Sequence, residues 1–109
     1  MRLASEFWVH GYLARLRLAN IPAYVVARGD ADAGAVIVKL ATLDGLAQAF
    51  QRGADPETGM RRWLVLSDGA EAEVDAVLGR ARARDPDLWV IEVEDRDGRH
   101  LLDEPGLSD

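Results

Sequence analysis

Asp85-Pro86-Asp87-Leu88-Trp89-Val90-Ile91-Glu92-Val93-Glu94-Asp95 is the stretch whose reading decides the fold. Pro86 disfavours helical geometry at Asp85, so the helical pattern that precedes it must stop there. Beyond the proline the period changes to two, which places Trp89, Ile91 and Val93 on one face of a strand and Val90, Glu92 and Glu94 on the other. One face of this strand is therefore predicted to be buried.

Upstream of that stop, Ala70, Val74, Val77, Leu78 and Ala81 recur at helical spacing. Asp68-Gly69-Ala70-Glu71 has the spacing of a capping box and predicts the helix start at Asp68. Glu71, Glu73 and Asp75 crowd its beginning while Arg80, Arg82 and Arg84 crowd its end, which complements the helix dipole without any ligand. Residues 61–66 read as a strand, and residues 52–59, with Asp55-Pro56-Glu57 and flanking glycines, as a loop. A further strand over 46–51 follows the tight-turn pair Asp44-Gly45. In the strand predicted over 35–41, Val36, Val38 and Leu40 oppose Ile37 and Lys39. Residues 23–27 have the β-branched and aromatic content of a strand and are predicted to be its hairpin partner across the polar loop 28–34.

At the start of the chain, Phe7, Val9, Leu13, Ala14 and Leu16 mark an amphipathic helix from residue 5 to about 19, with Ser5 as N-cap and Asn20 before Ile21-Pro22 as the stop. At the other end, Asp97-Gly98 is a turn signal, residues 99–102 read as a short returning strand, and Pro105 and Gly106 release a tail. The expected architecture is a small α+β two-layer domain over residues 1–103, with four to six short, mostly antiparallel strands and both helices on one sheet face. Residues 104–109 are expected to form a flexible tail.

Composition narrows the function classes. A chain of 109 residues makes one domain with a modest core. The formal charge of −6 disfavours nucleic acid, which selects clustered Lys and Arg. The absence of cysteine removes disulfides, thiolate metal sites and a cysteine nucleophile, and two histidines make a histidine metal site improbable. The N-terminus lacks the apolar core of a secretory signal, and no run is long enough to span a bilayer. The expectation is a soluble cytoplasmic protein with no membrane association and no cofactor.

Three groups of residues carry a family resemblance: Arg2-Leu3 with Glu6-Phe7-Trp8-Val9, Arg28-Gly29 with Ala33-Gly34-Ala35, and Glu73-Val74-Asp75-Ala76 with Asp85-Pro86-Asp87-Leu88-Trp89-Val90. In this order and spacing the chain resembles the DUF1491 family of small alphaproteobacterial proteins. It departs from that pattern between Gly45 and Arg62, where it is shorter and less aromatic. The resemblance implies no reaction and transfers no catalytic residue, so sites must be weighed from their chemistry.

Several constellations were weighed. Asp95, Asp97, Gly98 and Glu104 fall at positions of a calcium loop, but Val93 occupies its first ligand position and the entering segment reads as a strand, so no metal is expected there. Asp85, Asp87, Glu92 and Glu94 could converge on magnesium, although each has an ordinary use in a turn or on a solvent face. The 28–34 loop lacks the lysine and spacing of a phosphate loop. A Ser67 and His100 pair has no nucleophile-elbow context. Of Trp8, Trp63 and Trp89, mainly core residues by their neighbours, Trp8 with Tyr12 one turn away is the first choice for an exposed interface edge.

The sequence therefore reads as a protein-binding or self-associating module without catalytic activity, with a homodimer or a protein partner expected. Its candidate surface comprises the edge strands and Trp8, Tyr12, Arg28, Asp85, Asp87, Trp89 and Glu92. The alternative is a small carboxylate-based enzyme or ligand sensor, with or without magnesium, at the start of the last main strand. A third reading is anion or nucleotide binding by Arg28, Arg61, Arg62, Arg80 and Arg84, should folding gather them on one face.

Overall fold

The computed structural model describes residues 3–108. Met1, Arg2 and Asp109 lie outside the described residues, and with them the arginine of the Arg2-Leu3 match. The element order is α1 (Ser5–Leu18), β1 (Ala23–Ala27), β2 (Val36–Ala41), β3 (Leu46–Ala54), β4 (Arg61–Ala70), α2 (Glu71–Arg84) and β5 (Trp89–Glu94). The strands form one sheet in the order β1-β5-β2-β3-β4, antiparallel throughout except where β5 runs parallel to β2. This is an α+β domain with five strands and two helices.

β5 separates β1 from β2, so the hairpin expected between those two is not formed. The reason lies in burial. Trp89, Val90, Ile91 and Val93 are all buried, and a strand apolar on both faces needs the sheet interior. β1, whose Tyr24, Val25 and Val26 are exposed, takes the edge.

Two buried faces also correct the layer arrangement, because the helices lie on opposite sides of the sheet and not together. On one side Trp8, Val9, Tyr12 and Leu16 of α1 pack against Val38, Leu40, Phe50, Ile91 and Val93. On the other, Val74 and Leu78 of α2 pack against Ile37, Ala47, Ala49 and Val90. Alternation along β2 and β5 supplies apolar side chains to both layers. Within α1, Val9 and Leu16 face inward as expected, but Phe7 is exposed and Trp8 and Tyr12 complete the buried stripe.

The C-terminal segment completes the α1 layer. Leu102 and Leu107 are buried in its cluster. The Tyr12 hydroxyl donates to the His100 carbonyl at 2.8 Å, Trp63 Nε1 to the Leu107 carbonyl at 2.9 Å, and Arg15 pairs with Glu104 at 3.0 Å. The expected tail from residue 104 is therefore packed as far as it is described. Residues 99–102 make no strand: Leu101 is left-handed (φ 62°), and the Leu102 N–H donates to His100 Nδ1 at 2.9 Å.

Both expected N-caps are displaced. Pairing with β3 carries β4 through Asp68 to Ala70, opposite Leu46, so α2 starts at Glu71 without a side-chain cap. Ser5 is the first residue of α1, and its hydroxyl donates to the Gly34 carbonyl. The stops behave as read: Asn20 is left-handed (φ 60°) and Asp85 before the proline is extended.

The 28–35 loop is clasped to the 85–89 turn. Asp30 N donates to the Asp87 carbonyl at 3.0 Å, Trp89 N to the Ala35 carbonyl at 2.8 Å, and Trp89 Nε1 to the Asp30 carbonyl at 2.7 Å. A Cβ on Gly29 or Gly34 would run into the Asp87 carbonyl, so close approach and not φ demands glycine at both positions. Gly34→Ala is expected to destabilise the domain by about 2–3 kcal/mol, the upper range of overpacking, because backbone and not a movable side chain is struck. Urea unfolding checks this, and a change under about 0.5 kcal/mol would show that the clasp yields.

Candidate functional site

The parallel register of β2 and β5 sets Lys39 opposite Glu92. The first turns of α2 bring Glu71 and Asp75 over the same position, one helical turn apart. Lys39 is the chain's only lysine, and its side chain is 5% exposed. Its Nζ lies 2.7 Å from Asp75 Oδ1, 2.8 Å from Glu71 Oε2 and 3.3 Å from Glu92 Oε1. Burial by itself would lower the ammonium's pKa, but the hydrogen bonds it donates to Asp75 and Glu71 and the Glu92 charge outweigh it and hold it above the ordinary lysine range. A compact ammonium with three donors suits three carboxylates better than a planar guanidinium does. So held, it stays protonated and is neither base nor nucleophile: the cluster pins α2 to the sheet.

Glu92 is thereby accounted for, and the other predicted site residues disperse. Tyr12 is fully buried and stacks on Trp8 at 4.9 Å, while Trp8 meets Trp63 at 5.2 Å, so the pair is part of the core and not an exposed edge. Burial pushes the Tyr12 phenol well above its usual range. Trp89 is buried, with the Arg28 guanidinium 5.2 Å from its ring centroid, and Arg28 also pairs with Glu6 at 3.0 Å. Asp85 Oδ1 accepts from Asp87 N at 3.0 Å, an Asx turn that uses the first acid to shape the corner.

Arg28 and Asp85 both line a groove of about 530 Å³ that also touches Val26, Arg82 and Pro86, but neither Asp87 nor Glu92 reaches it. The magnesium constellation is not assembled, and among the described residues no group of His, Asp and Glu is arranged to hold a metal. Two of the three acids of the calcium-loop spacing have separate arginine partners. Asp95 accepts from the backbone N, Nε and Nη2 of Arg99 at 2.7–3.1 Å, and Glu104 pairs with Arg15. Arg99 holds the Asp95 carboxyl below its ordinary range. His100 packs on Phe50 and uses Nδ1 as acceptor for Leu102 N, so its tautomer is spent on the C-terminal wrap.

A larger groove, of about 1040 Å³, opens where the β3–β4 hairpin outruns β2. β2 pairs with β3 no further than Gln51, whereas Arg52, Gly53 and Ala54 pair only with β4. Trp8, Met60, Trp63 and Leu88 give its wall apolar surface, and Arg52, Arg61 and Arg84 give it charge. Among the described residues the Arg61 and Arg84 guanidinium groups have no ion-pair or hydrogen-bond partner, whereas Arg62 pairs with Asp55 at 2.8 Å. The five arginines of the third sequence reading are thus divided: Arg28 lines the smaller groove, Arg61 and Arg84 the larger, and Arg62 and Arg80 neither.

Trp8 is 8% exposed and its Nε1 is buried without an acceptor among the described residues, although Trp63 and Trp89 both donate to backbone carbonyls. Leaving such a donor unpaired costs about 1–3 kcal/mol. Sequence reasoning pointed to Trp8 for the wrong property, since exposure was expected and burial is found. It passed over Lys39, whose solitary occurrence between Val38 and Leu40 was a legible sign of a buried cation.

The third feature is the free edge of the sheet. Three consecutive residues of β1 are exposed, Tyr24 at 50%, Val25 at 42% and Val26 at 47%. The Tyr24 hydroxyl donates to Glu94 Oε1 at 2.6 Å. No helix of the described residues is long and apolar enough to cross a membrane.

The sequence profile of the family described as "Protein of unknown function (DUF1491)" matches residues 3–103. Among solved structures, the chain is similar to a DUF1491 family protein from Caulobacter crescentus CB15. Its crystal structure superposes with a TM-score of 0.82 at 41% identity, covering 96% of this chain and 97% of that one. An NMR structure of a DUF1491 family protein from the same organism gives 0.81 at 41% identity, with 96% of each chain covered. The solution structure of a protein from A. tumefaciens gives 0.71 at 30% identity over 86% of each chain. No curated protein matches.

The Lys39 cluster makes a prediction with a defined sign. Lys39→Met is expected to cost about 2–3 kcal/mol, below the full cost of breaking a buried pair because its carboxylates retain water. Glu71→Gln should cost under about 1 kcal/mol, since two carboxylates remain. The folded ammonium's pKa is raised above 10.5, so its contribution is complete below that pH and fades as the pH rises through and beyond it. Tyr12 weakens the fold over the same range, so the Lys39 share is the difference between wild type and Lys39→Met in urea unfolding at pH 8 and about pH 11. A gap that does not narrow with pH would contradict the assignment.

Proposed function

The chain belongs to the DUF1491 family, and from that premise we propose that it is a cytoplasmic binding module that pairs with a second copy of itself through β1, without catalytic activity of its own. The observation that carries this reading is the β1 edge: an unpaired strand with three successive exposed residues, none of them charged. Edge strands that stay single are ordinarily blunted by charge, proline or cover. The opposite edge, β4, is so blunted, with Arg61 and Arg62 at its start and Asp68 near its end.

The choice of a second copy as occupant rests on charge. Two chains of formal charge −6 repel each other except where their surfaces lack carboxylates. Residues 18–27 are the longest run in the chain without a charged residue, and β1 lies inside it. Antiparallel pairing across a two-fold axis sets this strand against itself. The carboxylate nearest to it, Glu94, is capped by the Tyr24 hydroxyl. Meanwhile α2 packs on β3 and β4, leaving the β1 end of that face open at the smaller groove.

The register irregularity between Val25 and Ala27 shortens the regular run to Ala23, Tyr24 and Val25, so the interface is small and the association weak. A dissociation constant on the order of 10 μM is expected. Sedimentation equilibrium should show the mass rising from 11.9 kDa toward twice that value with concentration, and Val25→Lys should hold it at the monomer with the fold intact. A wild-type chain that stays monomeric at about 1 mM, or a Val65→Lys change on β4 that abolishes association while Val25→Lys does not, would overturn the reading.

A further inference from the structure

We propose that the larger groove, at the end of the sheet where the β3–β4 hairpin outruns β2, is a binding site for a carboxylate carried on an apolar body. This inference is independent of the β1 edge. It starts from the third indole. Folding gives Trp63 and Trp89 a backbone acceptor each, but among the described residues Trp8, which lines the groove, has its Nε1 buried without one. Buried donors are nearly always paired, and one left open beside a groove calls for an acceptor from outside the chain.

The charges around it select the acceptor's sign. In a chain of formal charge −6, this groove gathers Arg52, Arg61 and Arg84 against a single acid among the described residues, Asp85. Asp85 Oδ1 is already engaged by Asp87 N, and among the described residues Arg61 and Arg84 have no partner. The charged groups of the wall with capacity to spare are two guanidinium donors, Arg61 and Arg84, against the one carboxylate of Asp85, so the balance favours an acceptor. The complement is a group that only accepts, and guanidinium recognises a carboxylate through paired hydrogen bonds.

The rest of the wall selects the body. Met60, 70% exposed, lines the groove together with Trp63 and Leu88, so its wall has apolar surface as well as the arginines. A bare phosphate would leave that surface wet, whereas an apolar or aromatic chain covers it. The groove volume, about 1040 Å³, accommodates such a molecule at the upper end of the usual range for ligand sites.

The test uses the full chain labelled with ¹⁵N and 4-phenylbutyrate as probe, with 4-phenyl-1-butanol and acetate as its uncharged and bodiless counterparts. The expected result is a saturable shift of the Trp8 indole N–H cross-peak with 4-phenylbutyrate, the alcohol and acetate each binding about tenfold more weakly or less. The cross-peak is assigned by its loss in Trp8→Phe. Arg61→Gln with Arg84→Gln, at surface positions that leave the fold intact, should weaken 4-phenylbutyrate binding about tenfold, and this arm decides the matter should Trp8→Phe fail to fold. No saturable shift up to about 10 mM, equal binding of the alcohol, equal binding of inorganic phosphate, or wild-type affinity in the double arginine variant would each overturn the proposal.

Discussion

β5 is buried on both faces, and the rest of the structure follows from where such a strand can go. Val90 on one side and Ile91 and Val93 on the other need cover at once, which places β5 inside the sheet and a helix over each face. The antiparallel edge strand β1 and the parallel neighbour β2 are then separated in space although they are consecutive in sequence. Their connecting loop must cross the end of β5, and the crossing is tight enough that Gly29 and Gly34 leave no room for a Cβ beside the Asp87 carbonyl. The Asp85-Pro86-Asp87 corner is thus shaped by packing. The Asp85 carboxylate forms an Asx turn and Asp87 offers its backbone carbonyl to the loop.

Much of this was legible in the sequence, and what was not has physical causes. Asn20 and Pro86 mark the helix stops because their backbone preferences act locally, and tertiary contacts had no reason to override them. Alternation in β2 and β5 gave the correct faces. The parallel pairing of those strands was hidden because it joins residues about fifty positions apart, and no local pattern encodes a partner. One clue was present: Ile37 and Val90 are apolar on the face that a one-sided strand would give to water. The capping spacing at Asp68 misled because continued pairing of β4 with β3 satisfies that backbone before a helix can. In the first helix Val9 and Leu16 were legible as buried, but Phe7 was chosen over Trp8 because the two are adjacent and both large, and periodicity alone does not choose between them.

The same comparison applies to the sites. Glu92 was singled out as a ligand for a cation, and the structure gives it one, but the cation is the chain's own Lys39. Glu92, Glu94 and Asp85, weighed as magnesium ligands, are engaged separately, by Lys39, by the Tyr24 hydroxyl and by the Asp87 N–H, while Asp95 and Glu104 of the calcium-loop spacing pair with Arg99 and Arg15. Beyond this internal pairing two features stand out among the described residues: an uncharged sheet edge at β1, and, where the β3–β4 hairpin outruns β2, a groove with two free arginines and an unpaired indole N–H. The proposed association and the proposed carboxylate site occupy different surfaces, so one can fail while the other stands.

The central functional claim is that the free edge of β1 is completed by another copy of the chain. Amide hydrogen exchange, followed residue by residue at about 10 μM and about 1 mM protein, reads that edge directly. The account predicts that amides among Tyr24, Val25 and Val26 become more protected at the higher concentration while those around Val65 on β4 do not change. Exchange in β1 that is indifferent to concentration, or protection that appears on β4 instead, would contradict it.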